Sequence, residues 1–202
     1  MFKDLFQKIS GKDAPVPVLT EVLMTREAMD NSDITAVVQM NITILNHFLR
    51  TYRYLVPEVA PESVQSYSVD FYCAQVKNGG HEQFAHNAQG MPNTWKFARD
   101  GLLAMGATQH LALFDRFKAI VDVGDKRAKG IIQRGGFGDV DAEVEDIDKE
   151  FYAVDDSTPL RVLNAKWLRS LANLKTLAMG QLENHINSFG EHPAVKKRMA
   201  GR

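Results

Sequence analysis

Asn78-Gly79-Gly80 interrupts a run that otherwise reads as helix, and this break constrains the fold more than any other stretch of the chain. Asn-Gly-Gly supplies residues that accept positive φ at little cost, as a helix C-terminus requires. Asn78 is placed to end the incoming helix in the left-handed region, and the two glycines let two helix axes meet with no side chain between them. Beyond the break, Gln83 and Asn87 are four apart, so both amides share one face of the next turn, with Phe84 beside them. The pattern predicts a fixed elbow between two helices at 78–80. The amides of Asn78, Gln83 and Asn87 read as a polar latch for backbone groups freed by the break. The alternative is a ligand pocket at the elbow.

The rest of the chain reads as helix after helix. Phe2 to Ile9 suits a short amphipathic helix, and Ser10 to Val18, with two prolines and a glycine, a linker. Leu19 to Met29 reads as a helix. Asn31-Ser32-Asp33 caps a long one with a wide stripe from Ile34 through Val37, Val38, Ile42, Leu45 and Leu49 to Val56. Pro61 opens the helix that enters the elbow. Trp95, Ala98, Leu102 and Met105 mark the next, and Leu111, Phe114, Phe117, Ile120 and Val121 the one after, with Gly106 and Gly124 as stops. Gly130 to Gly138 is the weakest stretch for regular structure, with Ile131-Ile132 as a short extended piece. A helix resumes over Asp141 to Tyr152. After Pro159, apolar positions from Leu160 to Phe189 keep a 3.6-residue period for about eight turns, with Gly180 inside. The expected architecture is an all-α, multi-helix bundle: an N-terminal arm and linker over 1–18, the bundle over 19–190, and a short basic, frayed tail over 191–202.

Composition narrows the function classes. A chain of 202 residues, 45 % hydrophobic, can bury one good core. Lysines and arginines number 24 and acids 25, a net charge of −1, which points to no direct nucleic-acid binding. One cysteine, Cys73, excludes an internal disulfide and fits a reducing compartment. No signal-peptide core opens the chain and no run of about 18 apolar residues occurs, so the expectation is a cytoplasmic protein without membrane association.

His81 and His86 invite a metal reading, but two histidines five apart on a helix are offset by some 140° and face different sides. No metal or cofactor is expected. Glu82 and His86, four apart, are placed to share a proton, so an enzyme or small-ligand site using His81, Glu82, Gln83 and His86 is the rival to a non-enzymatic role. Gln133 to Gly138 is glycine-rich but lacks the lysine and hydroxyl of a phosphate loop. Cys73, among Phe71, Tyr72 and Val76, reads as a buried structural thiol. Trp95 and Trp167 read as core. Asp139, Asp141, Glu143, Glu145, Asp146, Asp148 and Glu150 place seven carboxylates in twelve residues. Such a run is either a solvated helix face or a negative surface for a basic partner.

Three short segments, in order, resemble a known bacterial family. Asn78-Gly79-Gly80 with Gln83-Phe84 and Asn87 is similar to its signature. Leu102-Leu103-Ala104-Met105-Gly106-Ala107 is similar to its leucine-helix and Gly-Ala step, and Ile147-Asp148-Lys149-Glu150-Phe151-Tyr152 to its Leu-Asp-x-x-Phe-Tyr segment. The likeness spans roughly Asp33 to Phe189. It departs at His81 and Ala85, where the family commonly has aromatics. The family is all-helical, is otherwise carried as a domain of unknown function, and takes its name from a DNA-mimic protein. The resemblance implies a non-enzymatic protein-interaction module, a homodimer, whose acidic face occupies the DNA-binding surface of a basic, DNA-binding protein.

Overall fold

The computed structural model describes residues 16–201. The helix expected over Phe2–Ile9 and the first part of the linker lie outside the described residues. The fold is all-α, with one two-stranded sheet among the described residues. The chain divides into two compact units. The first combines the described residues up to Tyr67 with those from Ala165 onward, and the second is Ser68–Asn164.

The first unit departs most from expectation. Leu19 to Met29 is not one helix: Val22–Thr25 is a strand (β1), followed by the single turn Arg26–Met29 (α1). All four residues of β1 are buried, and β1 pairs in parallel with Leu174–Leu177 (β2), Val22 opposite Leu174. The long helix expected up to Val56 is shorter. It runs over Ala36–Asn46 (α2), widens into a π turn at His47–Thr51, and gives way to a 3₁₀ turn at Val56–Glu58. The segment from Leu160 to Phe189 is likewise two helices, Leu160–Ser170 (α8) and Met179–Gly190 (α9), separated by β2. The Val22 N–H donates to the Asn173 carbonyl, and the Asn173 amide donates to that of Thr20. The ladder thus takes the backbone groups that a continuous helix would have used internally. Gly180 therefore lies in the first turn of α9 rather than mid-helix. Val22, Met24, Val37, Val38, Ala165 and Leu168 form the core, with the partly buried Trp167 packed on it. The basic tail is a helix, Pro193–Ala200 (α10), where Arg198 grips the Glu58 carboxylate with both guanidinium nitrogens at 2.6 and 2.8 Å.

The second unit follows the expected order of helices with one more than expected, over Lys126–Arg134. Pro61–Asn87 (α3) begins in the first unit and carries the elbow. Pro92–Ala104 (α4), Thr108–Asp122 (α5), Lys126–Arg134 (α6) and Ala142–Ser157 (α7) follow. Ile131 and Ile132 are helical, not extended, because the Asp125 carboxylate caps α6 and Gly135, at φ 62°, ends it. The core is aromatic. Tyr72, Phe84, Phe114, Phe117 and Phe151 are fully buried, and Tyr72 meets Phe84, Phe114 and Phe151 edge-on at 5.1–5.7 Å. Trp95 stacks on Phe117.

Candidate functional site

The elbow is made by the glycines alone. Gly79 has φ −163°, ψ 31°, and Gly80 has φ 75°, ψ −178°, a region essentially reserved for glycine. Asn78 is not left-handed, contrary to expectation, since Arg53 is the non-glycine residue that has positive φ among those described. A Cβ on Gly80 would stand 2.3 Å from the Asp148 carboxylate, so the sharp bend and the close approach of α7 require the same residue.

A broken helix leaves N–H groups without partners at its restart. The His81 N–H donates to Asp148 Oδ1 at 2.9 Å, so α7 supplies the cap from 67 residues away in sequence. The His81 ring is fully buried. Its Nδ1 lies 2.5 Å from the same carboxylate oxygen, and its Nε2 lies 2.8 Å from the Tyr72 hydroxyl. Burial pushes the Tyr72 phenol well above its ordinary range, so it stays protonated and donates. With Tyr72 donating to Nε2, the Nδ1–H is left to face Asp148.

Glu82 is also wholly buried. It receives Arg134 Nη2 at 2.7 Å and Nε at 3.2 Å, and the Asp141 N–H at 3.1 Å. It therefore joins the end of α6 to the start of α7. Glu82 and His86 do not pair: the exposed His86 faces the Ile132 carbonyl through Nδ1 at 3.0 Å. His81 points into the core and His86 out of it, and no cluster of three His, Cys, Asp or Glu side chains suited to a metal occurs among the described residues.

The three amides are brought together, but through a fourth that sequence reasoning missed. Asn78 donates to Gln83 Oε1 at 3.1 Å, while Gln83 and Asn87 both donate to Gln75 Oε1, at 3.0 and 2.5 Å. They bond to one another rather than to freed backbone groups. Phe84 is fully buried beneath them. A cleft of about 400 Å³ in the first unit is lined by Thr25, Glu27, Asn31, Asp33, Met40 and Met179 among others, and by none of these elbow residues.

The acidic run is sorted rather than uniform. Asp148 turns inward to His81. Asp141 caps α7 and takes a two-pronged bond from Arg127, which holds its carboxyl down at about 2. Glu143 also meets Arg127, Glu145 and Asp146 share Lys149, and Glu150 meets Arg116. Asp139 is exposed. Further along α7 lies a carboxylate the sequence did not single out. Asp155 is buried and receives Lys77 and the Leu160 N–H, each at 2.7 Å, with His110 Nε2 3.5 Å away. Burial alone would raise its pKa. The nearby His110 ring and the hydrogen bonds from Leu160 and Lys77 outweigh that and hold it far below the ordinary carboxylate value. Cys73 is buried and its thiol is pushed up to about 12, too high for a nucleophile at neutral pH.

These features define an all-helical protein whose elbow residues His81 and Glu82 bond to neighbouring helices. A model of the DMP19-like protein family matches residues 58–171, from the 3₁₀ turn before α3 to the end of α8. The chain belongs to that family. No curated protein and no solved structure matches it. Among the described residues no helix is long and apolar enough to cross a membrane.

Proposed function

We propose that the protein is a non-catalytic interaction module that acts as a DNA mimic, its acidic face on α7 occupying the basic surface of a DNA-binding regulator. The observation that carries this reading is the set Glu143, Asp146 and Glu150. They are exposed and fall at i, i+3 and i+7, so they share one side of α7. At 1.5 Å rise per residue their axial separations are about 4.5 and 6 Å. That lies between one and two phosphate steps along a strand, each about 3.4 Å. Asp139 and Glu145 extend the negative surface. Arg127, Lys149 and Arg116 sit among these acids, but exposed pairs contribute at most about 1 kcal/mol each, so a partner's arginines can replace them.

The elbow supports a non-catalytic role. The groups that would serve as acid or base, the buried His81 and Glu82 and the half-buried Asp148, are already bonded, His81 to Asp148 and Glu82 to Arg134, and the amides of Gln83 and Asn87 bond to Gln75. A homodimer belongs to the same reading, and sedimentation would register it at twice the chain mass.

The test is a purified partner and a salt series. A basic DNA-binding protein retained on the immobilised chain should bind more weakly as ionic strength rises, and should lose its DNA as the complex forms. Binding indifferent to salt, or a partner with no basic face, would overturn the proposal.

A further inference from the structure

Phe137 is 80 % exposed, more than any other large apolar residue described, yet the loop that carries it is fastened at both ends and along its first half. Glu82 takes Arg134 at one end of the loop and the Asp141 N–H at the other, closing residues 134–141 around a single buried carboxylate. Gly135 lies against the His86 ring, and Gly136 lies against the Gly79 carbonyl so closely that a Cβ there would stand 2.2 Å from its oxygen. The Phe137 N–H donates to the Arg134 carbonyl. Gly135, Gly136 and Gly138 all have positive φ, between 62° and 82°. A phenylalanine left in water by a slack loop would need no explanation; one held out by a clamped loop has its ordering entropy already removed, which is what a binding anchor requires.

We propose that Phe137 is the apolar anchor of the interaction surface, seated in an apolar pocket that a basic partner surrounds with positive charge, and that the elbow exists to fix this loop. The choice of a basic partner rests on charge. The exposed charged residues from 137 to 150 are Asp139, Glu143, Glu145, Asp146, Lys149 and Glu150, five acids to one base. Arg127 reaches across to Asp141 and Glu143, and Arg116 to Glu150, without reversing that sign. This rests on the function proposed above and adds a defined contact: carboxylates steer the approach, and the ring sets how long the complex lasts. The amides of Gln75, Gln83 and Asn87 then act as a brace for the elbow beneath the loop.

The experiment uses the full chain with a photo-crosslinking phenylalanine at position 137, irradiated in cells, followed by purification of the crosslinked protein. Its affinity is then measured for wild type, Phe137→Ala, and the triple variant Glu143→Gln, Asp146→Asn, Glu150→Gln. The expected result is a crosslink to a basic protein. Its binding should weaken by about tenfold or more for Phe137→Ala, mostly through faster dissociation, with the salt dependence and melting temperature retained. Crosslinks only to a second copy of this chain, no crosslink at all, or wild-type affinity for Phe137→Ala would overturn the anchor. If the triple variant loses binding and Phe137→Ala does not, the anchor fails while the acidic-face function stands. If neither substitution matters, both fail.

Discussion

Helix α7 carries two populations of carboxylates a few residues apart. Asp148 and Asp155 turn inward, as does Glu82 from α3. Asp148 caps the restarted helix, Asp155 receives the start of α8, and Glu82 ties α6 to α7. Glu143, Glu145, Asp146 and Glu150 face water, 51–70 % exposed at the side chain, each beside one flexible base. An inner acid does work that a backbone cap does elsewhere, in a setting where its loss leaves N–H groups and cations stranded. An outer acid has water as a ready substitute. The same residue type is therefore architecture at one position and open surface at its neighbour, and burial of the carboxylate itself decides which.

The comparison breaks most visibly at Gly80, the residue that lets Asp148 reach the elbow. Gly80→Ala puts a side chain into a backbone region that costs about 1–3 kcal/mol for other residues, and drives a Cβ into the Asp148 carboxylate. A loss of about 3 kcal/mol or more in denaturant unfolding is expected. Gly79→Ala is the control. Its φ of −163° lies outside the left-handed region, and the nearest atom in the way is the flexible end of Gln83, so the loss should stay well below that at Gly80, at about 1 kcal/mol. Equal losses at the two sites would mean that the elbow does not depend on the inner acid.

Glu82→Ala comes next, at about 2–3 kcal/mol, because it empties a wholly buried position and strands the part-buried N–H of Asp141 and one side of Arg134. Arg134 keeps about a third of its side chain in water, which is why the full cost of an abandoned buried ion is not expected. Glu145→Ala removes the same carboxylate from the outer population and should fall within about 0.5 kcal/mol of wild type.

Much of this sorting lay beyond the sequence. The elbow, and the ends of two helices near it, were legible because glycine marks them: Gly80, Gly106 and Gly124 each take positive φ where a helix stops or turns, whereas the helix that Gly135 ends was not foreseen. The acidic run was legible as a run, but its division was not, since Glu82 meets Arg134 from 52 residues away and Asp148 meets His81 from 67. The arginine directly before a glycine cluster was the available signal for a clamped loop. In the first unit, the buried Val22–Thr25 and the half-buried Leu174–Leu177 are short stretches that fit helical periodicity as well as a parallel strand, and only their mutual pairing separates the two.

Acid titration sharpens the comparison further. The folded-state pKa of Asp155 is depressed below the ordinary 3.8, so the carboxylate contributes stability that is present at neutral pH. That contribution drains away as pH falls through about 4 toward the folded value. Asp155→Asn should cost about 2 kcal/mol at pH 7, and its stability curve should converge on that of wild type below pH 4. A difference that stays constant down to pH 2 would mean that the Asp155 charge contributes nothing beyond its shape.

A small expected effect on stability is the most informative about function. Removing charge from Glu143, Asp146 and Glu150 together breaks the contacts to Arg127, Lys149 and Arg116, all between long side chains in water. Exposed pairs of this kind contribute about 0–1 kcal/mol apiece and offset one another's repulsion, so the triple variant should unfold within about 1 kcal/mol of wild type. Its net charge rises from −1 to +2. If the outer acids are there for a partner, that change should slow association and flatten the salt dependence while the fold is untouched. A large loss of stability would instead place these carboxylates with Glu82 and Asp155, as parts of the scaffold rather than a surface kept for another molecule.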